Sequence, residues 1–526
     1  MTPLDLNTVN ESWFGKSKVK GFVLMEVLMI PILLLAPANV MGSSHNETTQ
    51  GPLAEQNPCI TYDSDQILIE IKCGSVHLSD IYNNLSNPAI LSVEKDDNAS
   101  TNDNNGSKVW ILNAGIVIHK EAGLVIDSTD TSWLKMVSTP TIQLKQNSTN
   151  MTGDEETDYS DDTVTVVEAD TNTSASIGNN FTQVENGTIV VSKNNGDNPN
   201  GIHVHGSLKI DSVKITSWDP EKGDVIKFDF GKREGEEHTK SDYDTAEPRG
   251  FIRVAKDATG TTNITNSEVA YLGYSCSRCA GISYYGGEGS VIKNSEIHHL
   301  LKGYYSKNMG HMLIEGNKFH NNYLYGIDPH TGSNNMIIRN NIVYNNNASG
   351  IICSKDCHSL LIEGNEVYNS SGAGRGISFS INTTNSIARN NLVYDNPRCV
   401  AFNRESNFNQ VYNNTLINCK TGISVQGTSN NLIHDNKIIN TSSAISIKNI
   451  TNQIYDNEIS GSKNGIVFTS QIPSNFTDNL IDNSWQDDYN RLNSSLTEMI
   501  DKNQISDTKN PLVIKTANGN DTDKEE

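Results

Sequence analysis

Residues Tyr325-Gly326-Ile327-Asp328-Pro329-His330 place a phenol, a carboxylate and an imidazole within one short stretch of chain. An imidazole exchanges its proton near neutral pH, and a phenol beside it can serve a second proton position, so the group suits general acid–base chemistry. A reaction that builds negative charge also needs a cation close by, and Lys307 and Lys355 stand about one repeat to either side. The C5 proton of a uronate sugar, adjacent to a carboxylate, fits these parts: it becomes removable once the carboxylate charge is neutralised. Asp328 is placed to orient His330 or to share a proton with a substrate carboxylate. The plainer reading of a histidine in a repeat is an ordinary polar surface residue, and it is applied to His298, His299, His320 and His434. Pro329 would then simply end a strand. His330 is set apart by the phenol, the carboxylate and the two lysines around it.

These side chains must be positioned by a repeat. Short apolar runs followed by Asn recur at Asn294, Asn317, Asn341, Asn365, Asn391, Asn414, Asn436, Asn457 and Asn479. A second series pairs a small residue with an apolar one at Gly281-Ile282, Gly303-Tyr304, Gly326-Ile327, Gly350-Ile351, Gly376-Ile377, Val400-Ala401, Gly422-Ile423, Ala444-Ile445 and Gly465-Ile466. A period of about two dozen residues marks a solenoid. The runs are short, alternate with polar positions and are rich in Ile and Val, so they read as strands. The expected fold is all-β, a single-stranded parallel β-helix in which equivalent residues stack about 4.8 Å apart and Asn amides bond along the stack.

Aligning the turns on the second series shows which side chains share a face. Four residues after the Gly come Tyr285, Lys307, His330, Ser354, Ser380 and Arg404, with Lys355 one place further on. Immediately before it lie Lys302, Tyr325, Ser349 and Arg375, and two residues after it Tyr305, Asp328 and Ser378. The candidate catalytic residues are His330, Tyr325, Asp328 and Lys355; Lys302, Tyr305, Lys307, Arg375 and Arg404 are the candidate substrate contacts. A basic strip on a chain of formal charge -22 is the lining expected for a linear anionic polysaccharide, whereas the overall charge argues against nucleic acid.

The remaining segments frame this coil. Lys16, Lys18 and Lys20 precede the apolar run 22–41, and Ala36, Ala38 and Gly42 offer cleavage sites, so residues 1–42 read as a signal peptide or an N-terminal anchor. A linker at 43–58, irregular first rungs at 59–146, an acidic disordered insertion at 147–200, the regular coil at 201–484 and a cap with an acidic tail at 485–526 complete the division. The 8 cysteines fall into local pairs, Cys59 with Cys73, Cys276 with Cys279, Cys353 with Cys357 and Cys399 with Cys419, which suits an oxidising compartment. Asn-x-Ser/Thr sequons, Asn347 and Asn440 among them, fit a secreted or cell-surface glycoprotein. A zinc site at Cys276-x-x-Cys279 lacks a second pair, so no metal is assigned, and no motif specific for calcium or another cofactor is present. A monomer is expected, with no membrane contact beyond the N-terminal segment.

The run Asn321-Asn322-Tyr323-Leu324-Tyr325-Gly326-Ile327-Asp328-Pro329-His330, with Met336-Ile337-Ile338 and Ser349-Gly350-Ile351-Ile352-Cys353-Ser354-Lys355 after it, resembles the catalytic region of the mannuronan C5-epimerases of alginate biosynthesis. The resemblance implies a right-handed β-helix that converts β-D-mannuronate to α-L-guluronate within the polymer. It also implies His330 as base, with Tyr325 and Asp328 in the site. This chain has Thr331 where the bacterial enzymes usually carry Asp, and Lys355 about where they carry Arg. A polyuronate lyase, which begins with the same proton abstraction, and a non-catalytic glycan-binding β-helix are the alternatives.

Overall fold

A computed structural model of the chain describes residues 58–94, 107–138, 201–227 and 248–482, except short gaps at 276–277, 373, 449–451, 469–475 and 478. It also describes isolated strands at 165–168, 184–185, 188–191, 504–506 and 512–514. The N-terminal apolar segment, the linker before residue 58, Cys276 and the 483–503 part of the C-terminal cap lie outside the described residues.

Short apolar stretches separated by turns cannot bury their faces alone, and here each turn of chain stacks on the last. The result is a right-handed parallel β-helix with three long sheets of 15, 13 and 15 strands. Each turn contributes one strand to each sheet, as Ile327–His330, Ile337–Arg339 and Ile342–Tyr344 do for a single rung. In the two sheets with the shortest strands, burial alternates strictly: Ile314, Ile338, Ile362 and Ala388 point inward in one, and Phe319, Val343, Val367 and Val393 in the other. Apolar residues thus stack in columns inside, and polar residues line the outside. The first rungs are less regular, with antiparallel pairs Ile60–Asp63 with Leu68–Ile71 and Leu91–Val93 with Lys108–Leu112. A short helix, Leu78–Leu85, adds Leu78 and Ile81 to the same core.

The asparagine column is internal. From Asn317 to Asn457, each buried side-chain amide donates to the Oδ1 of the Asn one rung on, at 2.9 to 3.0 Å, and to a backbone carbonyl behind it, and Asn479 ends the row. The turn backbone, which would otherwise leave buried polar groups unpaired, is satisfied by this row. Two shorter rows do the same at other corners, Asn322 with Asn346 and Asn409 with Asn431 and Asn452. Asn294 is not part of the column: Ser295 takes that place and donates its N–H to Asn317, while Asn294 sits in a left-handed turn with φ 51°.

The register corrects one sequence alignment. Ile377 pairs with Val400, and Arg375 with Arg398, so Cys399, not Val400, occupies the glycine position of that rung. Arg404 consequently falls beyond the strand, exposed and at φ 44°, in a turn one place past the His330 column. The Val400-Ala401 pair mimics the Gly-apolar signal, but Val400 is apolar and lies in the inward column beside Ile377. Disulfides join Cys59 to Cys73, Cys353 to Cys357 and Cys399 to Cys419. Within 147–200, expected to be disordered, Thr165–Glu168, Val184–Glu185 and Thr188–Val191 pair antiparallel into a separate small sheet. Beyond residue 484, Gln504–Ser506 and Leu512–Ile514 add further strands to two of the long sheets.

Candidate active site

The candidate residues sit on the outer face of one 15-stranded sheet, where Lys302–Lys307, Ile327–His330, Ile351–Lys355 and Arg375–Ile381 are successive strands. Tyr305 lies opposite Asp328, and Lys307 opposite His330. Alternation along Ile327–His330 buries Ile327 and Pro329 inward and turns Asp328 and His330 outward, onto the face that carries Tyr305 and Lys307. Gly326 permits this approach. A side chain there would meet Val343 Cγ1 at 2.6 Å and the Gly350 carbonyl at 2.7 Å.

Asp328 is the centre of the group. Although it faces outward, it is 0% exposed, because neighbouring rungs cover it. Lys302 Nζ donates to its Oδ2 at 3.2 Å, and Ser354 Oγ donates to its Oδ1 at 2.6 Å. Both oxygens therefore have a charged or polar partner, as a buried carboxylate requires. The same ammonium lies 4.3 Å from the centre of the Tyr305 ring and 5.5 Å from that of Tyr325. Lys302 thereby ties the buried carboxylate to two phenols.

His330 is half-buried, with its ring centre 5.4 Å from that of Tyr305. Its Nδ1 accepts the Thr331 backbone N–H at 2.9 Å and lies 2.7 Å from Thr331 Oγ1. A backbone N–H only donates, so it favours the tautomer with the proton on Nε2. The hydroxyl can donate or accept, so Nδ1 also has a partner when it carries the proton and Nε2 becomes the base. Tyr285, one rung before Tyr305 with ring centres 6.0 Å apart, has its phenol pushed up to about 12 by burial, against the opposing pull of the Arg278 and Arg253 guanidinium groups. It is held neutral at physiological pH.

The structure gathers His330, Tyr325, Asp328, Lys302, Tyr305 and Lys307 on one strip, and leaves Arg404 outside it. Lys355 is exposed at the end of its strand and forms no ion pair among the described residues. Arg375 lies two rungs beyond Tyr325, with Arg398 next to it on the following rung. Sequence reasoning missed Arg398, which the Cys399 register brings into line, and the role of Ser354. The corner beside Lys302 and Tyr325 is concave: Lys227, Arg249, Tyr271, His299, Asn321, Tyr323 and Asn347 line a cavity of about 390 Å3. Arg249 is fully buried there and donates to the carbonyls of Gly273, Leu272 and His299.

A family model described as a right-handed beta helix region matches residues 280–438. A second, described as periplasmic copper-binding protein (NosD), matches residues 389–524. Among the described residues no three His, Cys, Asp or Glu side chains converge as metal ligands would. No curated protein matches the sequence. Among solved structures, the chain is similar to the periplasmic alginate epimerase AlgG, at 17% identity and a TM-score of 0.53 over 85% of each chain. It is less similar to the Azotobacter vinelandii mannuronan C-5 epimerase AlgE6 A-module, at 12% identity and a TM-score of 0.39, covering 77% of this chain and 88% of that one. At 17% identity the likeness to AlgG supports the fold and leaves the reaction to be argued from the site.

Proposed function

We propose that the protein is a polysaccharide epimerase that inverts C5 of β-D-mannuronate residues within an alginate-like chain, giving α-L-guluronate. The observation that supports this reading is the convergence of an imidazole, two phenols and two lysines around a buried, fully bonded carboxylate. In the observed geometry Nδ1 accepts the Thr331 N–H, so base action requires the ring to turn off that bond; with its proton then on Nδ1 and donated to Thr331 Oγ1, His330 takes the C5 proton at Nε2. The electron pair of the C–H bond moves into the C5–C6 bond, and the carboxylate becomes an enediolate dianion. Lys307, on the rung next to His330, and Lys355 are the cations available to hold that charge. Tyr325 then returns a proton to the opposite face. Lys302, held by Asp328, places positive charge near the phenolate that this step leaves. Asp328 acts as a positioning residue: both its oxygens are committed to Lys302 and Ser354. The AlgG and AlgE6 structures, whose names describe alginate or mannuronan epimerases, agree with this substrate class. The three disulfides fit action outside the cytoplasm.

Proton NMR of polymannuronate incubated with the protein in heavy water tests the proposal. Guluronate signals carrying deuterium at C5, absent with His330→Ala, are the expected result. Unsaturated chain ends would instead identify a lyase, and an unchanged polymer would refute the assignment of substrate.

A further inference from the structure

The corner that carries Lys302 and Tyr325 continues down the solenoid. Hydrogen bonds and pairing place Tyr325, Ser349, Arg375, Arg398, Thr421, Ser443 and Asn464 on successive rungs of this edge. Beside the last three a second concavity opens, of about 660 Å3, lined by Asn418, Lys420, Asn440, Thr441, Ser442 and Lys463 among others. Its wall is polar, with amides, hydroxyls and two ammonium groups. On the other sheets Lys293, Arg339, Arg389 and Lys437 each pair with a glutamate on an adjacent rung, although Lys318 forms no such pair among the described residues. Arg398, Lys420 and Lys463 form no ion pair among the described residues, although the chain carries 62 acidic side chains against 40 Lys and Arg. The Cys399–Cys419 disulfide joins the residues next to Arg398 and Lys420, with Cα atoms 5.7 Å apart, and fixes this part of the corner.

We infer that the Lys420–Lys463 concavity is a distal binding site for the same anionic polysaccharide chain, engaging uronate residues several units away from the one at His330. The inference rests on the proposed polyuronate substrate. The Thr421 rung lies four rungs from Tyr325, about 19 Å at the spacing of stacked strands, and a 1,4-linked pyranose advances its chain by a similar step. A short oligosaccharide at His330 therefore cannot reach the lysines, while a long one spans Arg375 and Arg398 and fills both places. Two contacts on one chain raise affinity without changing the chemical step.

The test compares the wild-type protein with Lys420→Ala/Lys463→Ala, using a mannuronate trisaccharide and a dodecasaccharide. Both lysines are exposed, so the variant retains its fold. Calorimetric Kd values, measured separately from turnover, should show the dodecasaccharide binding wild type about tenfold more tightly than it binds the variant, with the trisaccharide unaffected. Turnover of the trisaccharide should also be unchanged. Equal dodecasaccharide affinity for the two proteins would overturn the inference. So would a glycan found by mass spectrometry on Asn440 of the native protein, since it would fill the concavity. Tight, lysine-dependent binding without guluronate formation would uphold the distal site and discard the epimerase reading instead.

Discussion

The pairing of Lys302 with Asp328 makes a prediction whose size follows from burial. The two groups are 3.2 Å apart, with side-chain exposures of 19% and 0%. At an effective dielectric of about 20 their attraction is roughly 5 kcal/mol, most of it offset by the cost of removing both from water. The intact pair is thus close to neutral for stability, but the halves are unequal. In Lys302→Met the carboxylate stays fully buried with only the Ser354 hydroxyl as partner, a loss of about 3–5 kcal/mol. Asp328→Asn keeps an acceptor for Ser354 and leaves a lysine that can turn toward water, so the loss is about 1–2 kcal/mol. The double variant removes the stranded charge and should therefore be more stable than Lys302→Met alone. Urea unfolding followed by circular dichroism measures all four proteins. If the double variant is as unstable as the sum of the singles, the buried-pair argument fails. If Lys302→Met costs no more than Asp328→Asn, Asp328 is not isolated from water in the way described. The double variant should also remain inactive on polymannuronate, because Lys302 is lost from the phenols.

Two further outcomes follow from the same kind of accounting. Asn365→Ala removes the acceptor of the Asn341 backbone N–H and of its amide, and the donor to the Ile338 carbonyl, so it should lower stability by about 3–5 kcal/mol in the same urea assay, while Ala at the exposed Asn294 should cost only the left-handed backbone preference, about 1 kcal/mol. His299 is held down to about 4 by burial, aided by His298, His320, Arg249 and Lys227; the unfolded chain takes up this proton near 6.5 and the folded one does not, so the contribution is complete above about pH 6.5 and is lost as pH falls toward 4, amounting to about 1–2 kcal/mol after allowance for partial exposure, and His299→Asn should flatten the fall in urea midpoint between pH 7 and 5.

Much of the solenoid was legible because its determinants are local and repeated. The Asn of each turn, the small residue before each strand and the two-residue alternation each mark one rung independently, so a mistake in one turn does not spread. The failures occur where two residue types can serve one geometry. Ser295 substitutes for Asn at the head of the column because its hydroxyl also accepts a backbone N–H, and counting Asn alone chose Asn294 instead. Cys399 fills a glycine position, and the adjacent Val400 drew the alignment off by one, carrying Arg404 into the site and Arg398 out of it. The motif Tyr325 to His330 was visible as chemistry. The partners of Asp328 were not, because Lys302 and Ser354 lie 26 residues away on either side and only the stacking register brings them together.

The asparagine row also separates the pitch of the coil from the length of its turns. Consecutive members are 24, 24, 26, 23, 22, 21 and 22 residues apart, yet every link stays within 2.9 to 3.0 Å. Extra residues are taken up in the turns and never in the rise per rung. An insertion or deletion of a few residues in a surface turn is therefore a change of lining, not of spacing. A lineage, or an engineer, can rewrite the loops bordering the basic strip one rung at a time while the distance between neighbouring rungs stays constant, as the marks on a ruler do when only its edge is recut.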